Sequence, residues 1–164
     1  LIQEVKVKKI TVLCVGNLKE NYLKSGCEEY LKRLSKFYDI KVVELNEKKF
    51  GSNNPNASER QLAMEAEADE ILPKLKGYII CLCIEGKQMT SEKFSQILSN
   101  CYQTTDEITF IIGGSFGLSN RVKQKANLQL SFSLFTFPHQ LMRMILLEQI
   151  YRATTIEQGT PYHK

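Results

Sequence analysis

Short apolar runs that alternate with amphipathic segments constrain this chain more than any other feature of its sequence. The runs 9–16, 40–45, 78–84 and 108–112 are rich in aliphatic and β-branched residues, and the first and last of them run into glycine. Such runs are typical of strands that are buried on both faces of a sheet. Apolar residues between the runs recur at helical spacing. The alternation predicts an α/β fold, with a mostly parallel sheet and helices on both faces.

Capping and turn residues set the expected helix boundaries. Ser58 and Gln61 match a capping box, and Pro138 is suited to the start of a helix. The last helix carries two apolar stripes, which predict one face for the core and one for a dimer interface. The predicted helices span 18–37, 58–75, a segment starting at Ser91, a short segment through Val122 and Ala126, and 138–153.

Length and composition predict one domain over residues 1–164, since 43% hydrophobic residues in 164 are enough for one ordinary core. The net charge of +4 tolerates a polyanionic partner without requiring one. No long uncharged apolar run and no signal-like N-terminus occurs, so we expect a cytoplasmic protein without a membrane span. The five cysteines are expected to be buried free thiols, and Cys81 with Cys83 makes too poor a ligand set for zinc, so no metal is predicted.

The tails of the later strands carry the candidate site, because ligands of such sheets bind beyond the carboxyl ends of the strands. Gly113, Gly114 and Gly117 form either a close-fitting pocket wall or simply a tight strand-to-helix turn. The glycine segment lacks the Lys-Ser/Thr pair of an NTPase phosphate loop. The aromatic segment 132–137 is either a loop that cradles a planar purine or a part of the core.

Six segments together resemble the RlmH family of SPOUT methyltransferases in order and spacing. The resemblance implies a trefoil knot in the C-terminal part and a homodimer. It also implies that S-adenosylmethionine supplies a methyl group to N3 of a pseudouridine in 23S rRNA within the assembled ribosome. Since no RNA-binding module is evident, we expect naked RNA to be a poor substrate. The segments are 10–19, 111–118, 130–133, 136–143, 147–153 and 161–164.

The same resemblance implies roles for particular residues. The candidate catalytic residues, chosen for their chemistry and their place in the tail and the last helix, are His163, Tyr162 and Arg143. Residues 1–8 precede the segment at which family members begin, so we expect an N-terminal extension there. Cys83 stands where the family commonly has an acidic residue. The residues implied to bind the cofactor are Leu82, Gly113, Phe132, Ser133, Leu134, Phe135, Thr136 and Phe137.

Removal of the N3 proton requires a base or a stabilised anion, and the chain has two histidines. His163 lies in a polar tail that is expected to fold over the substrate, in its own or a partner's pocket, while His139 is the candidate for bonding the glycine-loop backbone. For both, an orienting role stays as open as proton transfer. Arg143 and Arg152 either contact RNA phosphate or form salt bridges with Glu148 and its neighbours.

Two other classes of protein fit parts of the pattern. A non-enzymatic ribosome-binding factor would keep the fold without methyl transfer. A flavodoxin-type nucleotide-binding protein would carry its phosphate loop after the first strand, where this chain has only Gly16 followed by Asn17, Leu18 and Lys19. Binding of S-adenosylmethionine distinguishes the methyltransferase from both.

Overall fold

Strands and helices alternate along the whole chain in the computed structural model, which describes residues 4–164. Residues 1–3, part of the predicted extension, lie outside the described residues. A 3-10 turn, Leu72–Lys74, follows the second helix. The elements are β1 (Lys9–Val15), α1 (Asn21–Leu34), β2 (Asp39–Leu45), α2 (Ala57–Ile71), β3 (Tyr78–Lys87), α3 (Ser91–Cys101), β4 (Glu107–Ile112), α4 (Asn120–Lys125), β5 (Leu128–Leu130) and α5 (His139–Gln158).

The five strands form one all-parallel sheet in the order β2-β1-β4-β3-β5. Successive side chains of a strand point to opposite faces. In β1, Ile10 and Val12 belong to one core cluster, and Leu13 and Val15 belong to the other. The first cluster includes residues of α1, α3 and α5, and the second includes residues of α2 and α4. The predicted α/β fold with helices on both faces is confirmed.

The start of α2 differs from the prediction. The capping box consists of Asn56 and Glu59, not of Ser58 and Gln61: the Glu59 N–H donates to Asn56 Oδ1 (2.9 Å), and the Asn56 N–H donates to Glu59 Oε2 (2.9 Å). A glutamate or a glutamine at this position can accept the hydrogen bond from the free N–H. Only the charged carboxylate also interacts favourably with the helix dipole. The α-helical part ends at Ile71 and the 3-10 turn carries the chain to Lys74, so the predicted end near Leu75 is close.

The last helix is longer than predicted and its two apolar stripes are both used within the chain. α5 continues to Gln158 and ends at Gly159, whose φ of 68° suits a residue without Cβ. Leu146 and Leu147, which the prediction placed on different faces, are both fully buried. Met144 packs against the same core. Both α1 and α3 flank α5 and pack against it, and the dimer interface on this helix stays a prediction.

The end of β3 lies unusually close to β5. Leu130 pairs with Leu82 and again with Lys87, because the register shifts between these two residues. A Cβ on Gly86 would lie 2.8 Å from the backbone of Gln129, so the close approach requires glycine here. Residues 83–86 thus bulge around the β5 backbone. The trefoil knot implied by the family resemblance stays a prediction.

Of the helices within residues 4–164, none combines the length and the apolar character needed to cross a bilayer.

Candidate functional site

A cleft of about 830 Å³ opens at the carboxyl ends of β3, β4 and β5. Parallel strands all end at one edge of a sheet, so the segments that follow them meet there. Three segments form most of the wall: 82–85, 112–118 and 130–139. The volume lies in the range of small-molecule and cofactor sites. The strand tails singled out in the sequence are therefore brought together in one place.

The residues predicted to bind the cofactor line this cleft, with one exception. Leu134 is not part of the wall, and its side chain is 77% exposed. It lies in a segment that forms neither helix nor strand, and it turns outward beside Phe135, which is 78% exposed but also contributes to the wall. The residues that do line the cleft are Leu82, Gly113, Phe132, Ser133, Phe135, Thr136 and Phe137.

The glycine segment forms a tight turn at the wall of the cleft. The Gly117 N–H donates to the Gly114 carbonyl (3.1 Å), and Gly117 has a φ of 84°, which favours glycine. A Cβ on Gly113 would lie 2.8 Å from the backbone of Gly117. Ser115 and Phe116 form the tip. Residues 113–117 therefore form both a tight turn and a wall of the cleft, the two interpretations that the sequence left open.

The segment 131–138 has the features of a ligand-binding loop. It belongs to no helix or strand, so its peptide groups are not committed to a ladder of backbone hydrogen bonds. Its first residue is fixed, because the Ser131 N–H donates to the Lys87 carbonyl (3.0 Å), and within the loop the Phe135 N–H donates to Ser133 Oγ (3.0 Å). Phe132 packs against the core, whereas Phe135 is exposed. The aromatic residues are thus divided between core and cleft.

One ion pair lies in the wall. Lys123 Nζ donates to Glu85, and this bond holds the pKa of the Glu85 carboxyl below its ordinary value. Glu85 follows the regular part of β3, and Lys123 lies on α4, so the pair also joins two walls of the cleft. The two charges offset each other, which leaves the adjacent surface without strong net charge.

The sequence gives no sign that α2 contributes to the cleft, whereas His139 is among its predicted residues. Arg60 and Met64 of α2 line the cleft, and nothing in their local sequence distinguishes them from other exposed helix residues. The His139 ring lines the cleft and lies against Gly16, with Nε2 3.1 Å from the position of a Cβ there. His139 was predicted to bond the backbone of the glycine loop, but its ring instead contacts Gly16 at the end of β1.

The tail residues Tyr162 and His163 do not line the cleft of their own chain. Tyr162 Oη donates to Glu148 Oε1 (3.1 Å), and His163 Nε2 lies 2.7 Å from Glu92 Oε1. Arg152 Nη1 lies 3.2 Å from His163 Nδ1. Burial and the neighbouring Tyr30 and Glu148 raise the pKa of Tyr162 above its ordinary value. The tail therefore folds back onto α5 and α3 in the chain described.

Arg143 does not project toward solvent, and of its two predicted alternatives the structure shows an ion pair, with Glu44 instead of Glu148. Its catalytic role stays a prediction. Arg143 is 4% exposed, its Nη1 donates to Glu44 Oε2 (2.8 Å), and its Nη2 donates to the Gly16 carbonyl (3.1 Å). The physical reason is Glu44 on β2, 99 residues away in sequence, which stabilises the guanidinium inside the fold. Arg152 instead forms the predicted salt bridge with Glu148 (2.6 Å).

Comparisons with known proteins agree over nearly the whole chain. A family model described as a predicted SPOUT methyltransferase matches residues 8–163. The ribosomal RNA large subunit methyltransferase H of Streptococcus uberis is 50% identical over 159 residues, covering 95% of this chain and 99% of that protein. The protein of the same name from Leuconostoc mesenteroides is 52% identical over 161 residues, covering 94% and 99%. The chain belongs to the RlmH family of SPOUT methyltransferases.

One solved structure has a fold similar to that of this RlmH-family chain. A probable methylase family protein of Haemophilus influenzae Rd KW20 aligns with a TM-score of 0.53 and 10% identity, covering 94% of this chain and 70% of that one. At such low identity the likeness concerns the fold alone.

The cysteines of this RlmH-family chain are all free, as predicted, and Cys83 alone among them is only half-buried. Cys83 lines the cleft, and its Sγ lies 3.8 Å from Gln129 Oε1. Burial raises the pKa of its thiol, so the group is neutral at physiological pH. A charged carboxylate role at this position is therefore not available in this chain. Within residues 4–164, no group of three or more His, Cys, Asp or Glu side chains is arranged to hold a metal ion.

Glu67, a buried carboxyl on α2 of this RlmH-family chain, should make stability depend on pH. Burial raises the pKa of Glu67 to about 7, and Glu47 and Glu70 act in the same direction. The folded state therefore binds more protons than the unfolded state between the unfolded pKa of about 4.3 and pH 7. The stability that the protonated carboxyl contributes is present below that range and is lost as the pH rises through it.

We expect Glu67→Gln to be more stable than the wild type by roughly 1–2 kcal/mol at pH 8, with the difference vanishing near pH 4.5. The amide keeps the acceptor for the Lys48 N–H, which donates to Glu67 Oε1 (3.1 Å), and carries no charge at any pH. Urea unfolding at pH 5 and pH 8 measures the effect. An equal difference at both values would show that ionisation of Glu67 is not its cause.

Proposed function

We propose that this chain transfers a methyl group from S-adenosylmethionine to N3 of a pseudouridine in large-subunit 23S rRNA of the assembled ribosome. Family membership gives the reaction class, and the relatives named above are ribosomal RNA large subunit methyltransferases. The observation that carries the proposal is the cleft itself, formed by the glycine turn and the 131–138 loop at the ends of adjacent strands.

The lining of the cleft fits S-adenosylmethionine. Leu82, Ile112 and Leu130 provide an apolar surface for a purine ring, and the irregular loop 131–138 provides peptide groups for its polar edge. The glycine turn leaves a concave wall that any Cβ on Gly113 would disturb. These residues would hold the cofactor.

Positioning dominates in such a reaction. The bound cofactor supplies an electrophilic methyl group on a sulfonium, so attack by nitrogen needs an in-line approach at near-attack distance. This chain contributes a cleft whose rim carries the exposed side chains of Phe135 and Phe116, 78% and 37% exposed, which can pack on a displaced base. His139 lies at the edge of the same cleft and is placed to orient or accept the N3 proton.

We further propose a homodimer in which Tyr162 and His163 serve the cleft of the partner subunit. Neither residue lines the cleft of its own chain, and both lie in a short tail whose side chains contact α3 and α5. The exposed Leu134 at the rim of the cleft is an apolar surface that a second copy would cover. Residues 1–164 are proposed to form one domain with a C-terminal trefoil knot.

The test is transfer of labelled methyl groups from S-adenosylmethionine to ribosomes that lack this modification. Assembled ribosomes, free large subunits and naked rRNA are compared, and we expect label in 23S rRNA only from assembled ribosomes, because shape recognition needs the intact particle. Mass spectrometry of the labelled nucleoside identifies the methylated atom. A His163→Ala variant should retain cofactor binding and lose transfer at least about tenfold.

Contrary outcomes separate the parts of the proposal. Cofactor binding without label in any ribosomal substrate would point to a different RNA. Label at a uridine, or at another atom of the base, would correct the substrate. An absence of cofactor binding would favour the non-enzymatic ribosome-binding factor. The flavodoxin-type alternative gains nothing from the structure, because Gly16 lies against His139 rather than opening a phosphate loop.

A further inference from the structure

The glycine turn, which forms one wall of the cleft, has little structure of its own. Gly114 and Gly117 form an isolated bridge outside the main sheet, and the turn is closed by the bond from the Gly117 N–H to the Gly114 carbonyl. Glycine-rich backbone has large conformational freedom, so an unsupported turn of this kind would sample many positions. Something else must hold the tip, Ser115 and Phe116, in the position that shapes the cleft.

A carboxylate from another part of the chain reaches this tip. The Ser115 N–H donates to Glu47 Oε1 at 2.9 Å, across a sequence separation of 68 residues. Glu47 follows β2, which is separated from β4 by β1, so its side chain reaches over the end of β1. A Cβ on Gly114 would lie 3.0 Å from Val15 Cγ1 and 3.2 Å from Glu47 Oε1. The second glycine of the motif therefore makes room for Glu47 and Val15.

The charge of Glu47 suits this bond. Burial opposes ionisation of Glu47, but the hydrogen bonds from Ser115 outweigh it, and the pKa of the carboxyl falls below its ordinary value. His139 and Lys49 lower the pKa further. The group is thus a carboxylate at neutral pH, and hydrogen bonds to charged acceptors are stronger than those between neutral groups.

The remainder of the loop is held by α2. Ser119 Oγ donates to Glu65 Oε1 (2.7 Å), and the Arg121 guanidinium bonds both Glu65 and Asp69. Arg60 lies over the Phe116 ring, 5.8 Å from its centroid. These contacts fix the residues after the turn and one side of its tip. The bond from Glu47 fixes the backbone of the tip itself.

We propose that Glu47 is a positioning residue: its carboxylate fixes the Ser115 N–H and so sets the wall of the cleft for the cofactor. The expected consequence of this restraint, tighter binding of S-adenosylmethionine, rests on the proposed function. Its structural step, restraint of the turn, does not depend on any activity.

The test compares three variants of the full-length protein. Glu47→Ala removes the acceptor, Glu47→Gln keeps an acceptor oxygen without the charge, and Glu70→Ala removes a nearby carboxylate that pairs with Lys48 (2.8 Å) and does not contact the turn. Amide hydrogen exchange at Ser115 reports the restraint, and calorimetry with S-adenosylmethionine reports the affinity.

For Glu47→Ala we expect exchange at Ser115 and the cofactor Kd both to rise about tenfold, with exchange in β1 unchanged. Glu47→Gln should recover most of both quantities, and Glu70→Ala should match the wild type. Unchanged exchange and affinity in Glu47→Ala would overturn the proposal, as would a Gln variant as defective as the Ala variant. If the wild type binds no S-adenosylmethionine, the proposed function fails, while exchange at Ser115 still decides whether Glu47 holds the turn.

Discussion

Gly113→Ala is expected to weaken binding of S-adenosylmethionine by about 10- to 100-fold. The added Cβ would lie 2.8 Å from the Gly117 carbonyl carbon, 2.9 Å from its oxygen and 3.0 Å from Leu118 Cγ. Two of these neighbours are backbone atoms, so the turn itself must move away from the strand. Overpacking of this kind costs about 1–3 kcal/mol. Each 1.4 kcal/mol of binding free energy that is lost raises Kd by a factor of about ten.

Gly26→Ala is the matched control, since it adds the same methyl group at a glycine remote from the cleft. Its nearest neighbour is Met144 Sδ, 2.2 Å from the position of the Cβ, which is near the end of a flexible side chain and can move. We expect cofactor affinity within about twofold of the wild type for this control. Calorimetry measures Kd, and the melting temperature shows that both variants are folded. Wild-type affinity in Gly113→Ala would mean that this wall does not shape the cofactor site.

The α/β fold was predictable because the apolar pattern of its strands matches the faces that the structure buries. β1 and β4 are apolar on both faces, and the structure buries both faces, so the sequence pattern and the environment coincide there. The boundaries of α2 were less predictable, because two overlapping cap patterns, Asn56 with Glu59 and Ser58 with Gln61, differ by about a kcal/mol at most. The approach of β5 to Gly86 could not be predicted, since it depends on a register shift between distant segments.

The candidate site likewise consists of segments that the sequence predicts and residues that it does not. The glycine turn and the 131–138 loop follow strands, so a general rule about strand ends located them. Glu47, Arg60 and Arg143 gave no such signal, because each acts through a residue that is distant in sequence: Ser115, Phe116 and Glu44. An arginine on an amphipathic helix is assigned to the surface unless its partner is known, and here the partner lies on another strand.

Arg143→Ala is expected to lower the free energy of unfolding by about 2–4 kcal/mol, one of the largest effects that a single change in this chain would have. The substitution leaves a cavity beside α5 and removes the donors to Glu44 and to the Gly16 carbonyl. Arg143→Lys should cost less, about 1–2 kcal/mol, because an ammonium keeps the charge and donors but lacks the planar, forked geometry of the guanidinium. Urea unfolding of both variants measures these differences.

Glu44→Gln and the double variant Arg143→Ala/Glu44→Gln complete a double-mutant cycle for this ion pair. Glu44 is 45% exposed, so its own substitution should cost less than about 1 kcal/mol, and the coupling energy with Arg143 should be about 1 kcal/mol. A buried arginine that joins β2 and the end of β1 to α5 makes no phosphate contact, so the salt dependence of RNA binding by the charge-removing variant Arg143→Ala should equal that of the wild type. If Arg143→Ala instead had the free energy of unfolding of the wild type but lost about one unit of salt dependence together with methyl transfer, Arg143 would be a phosphate ligand after all. Its burial would then have to open when RNA binds.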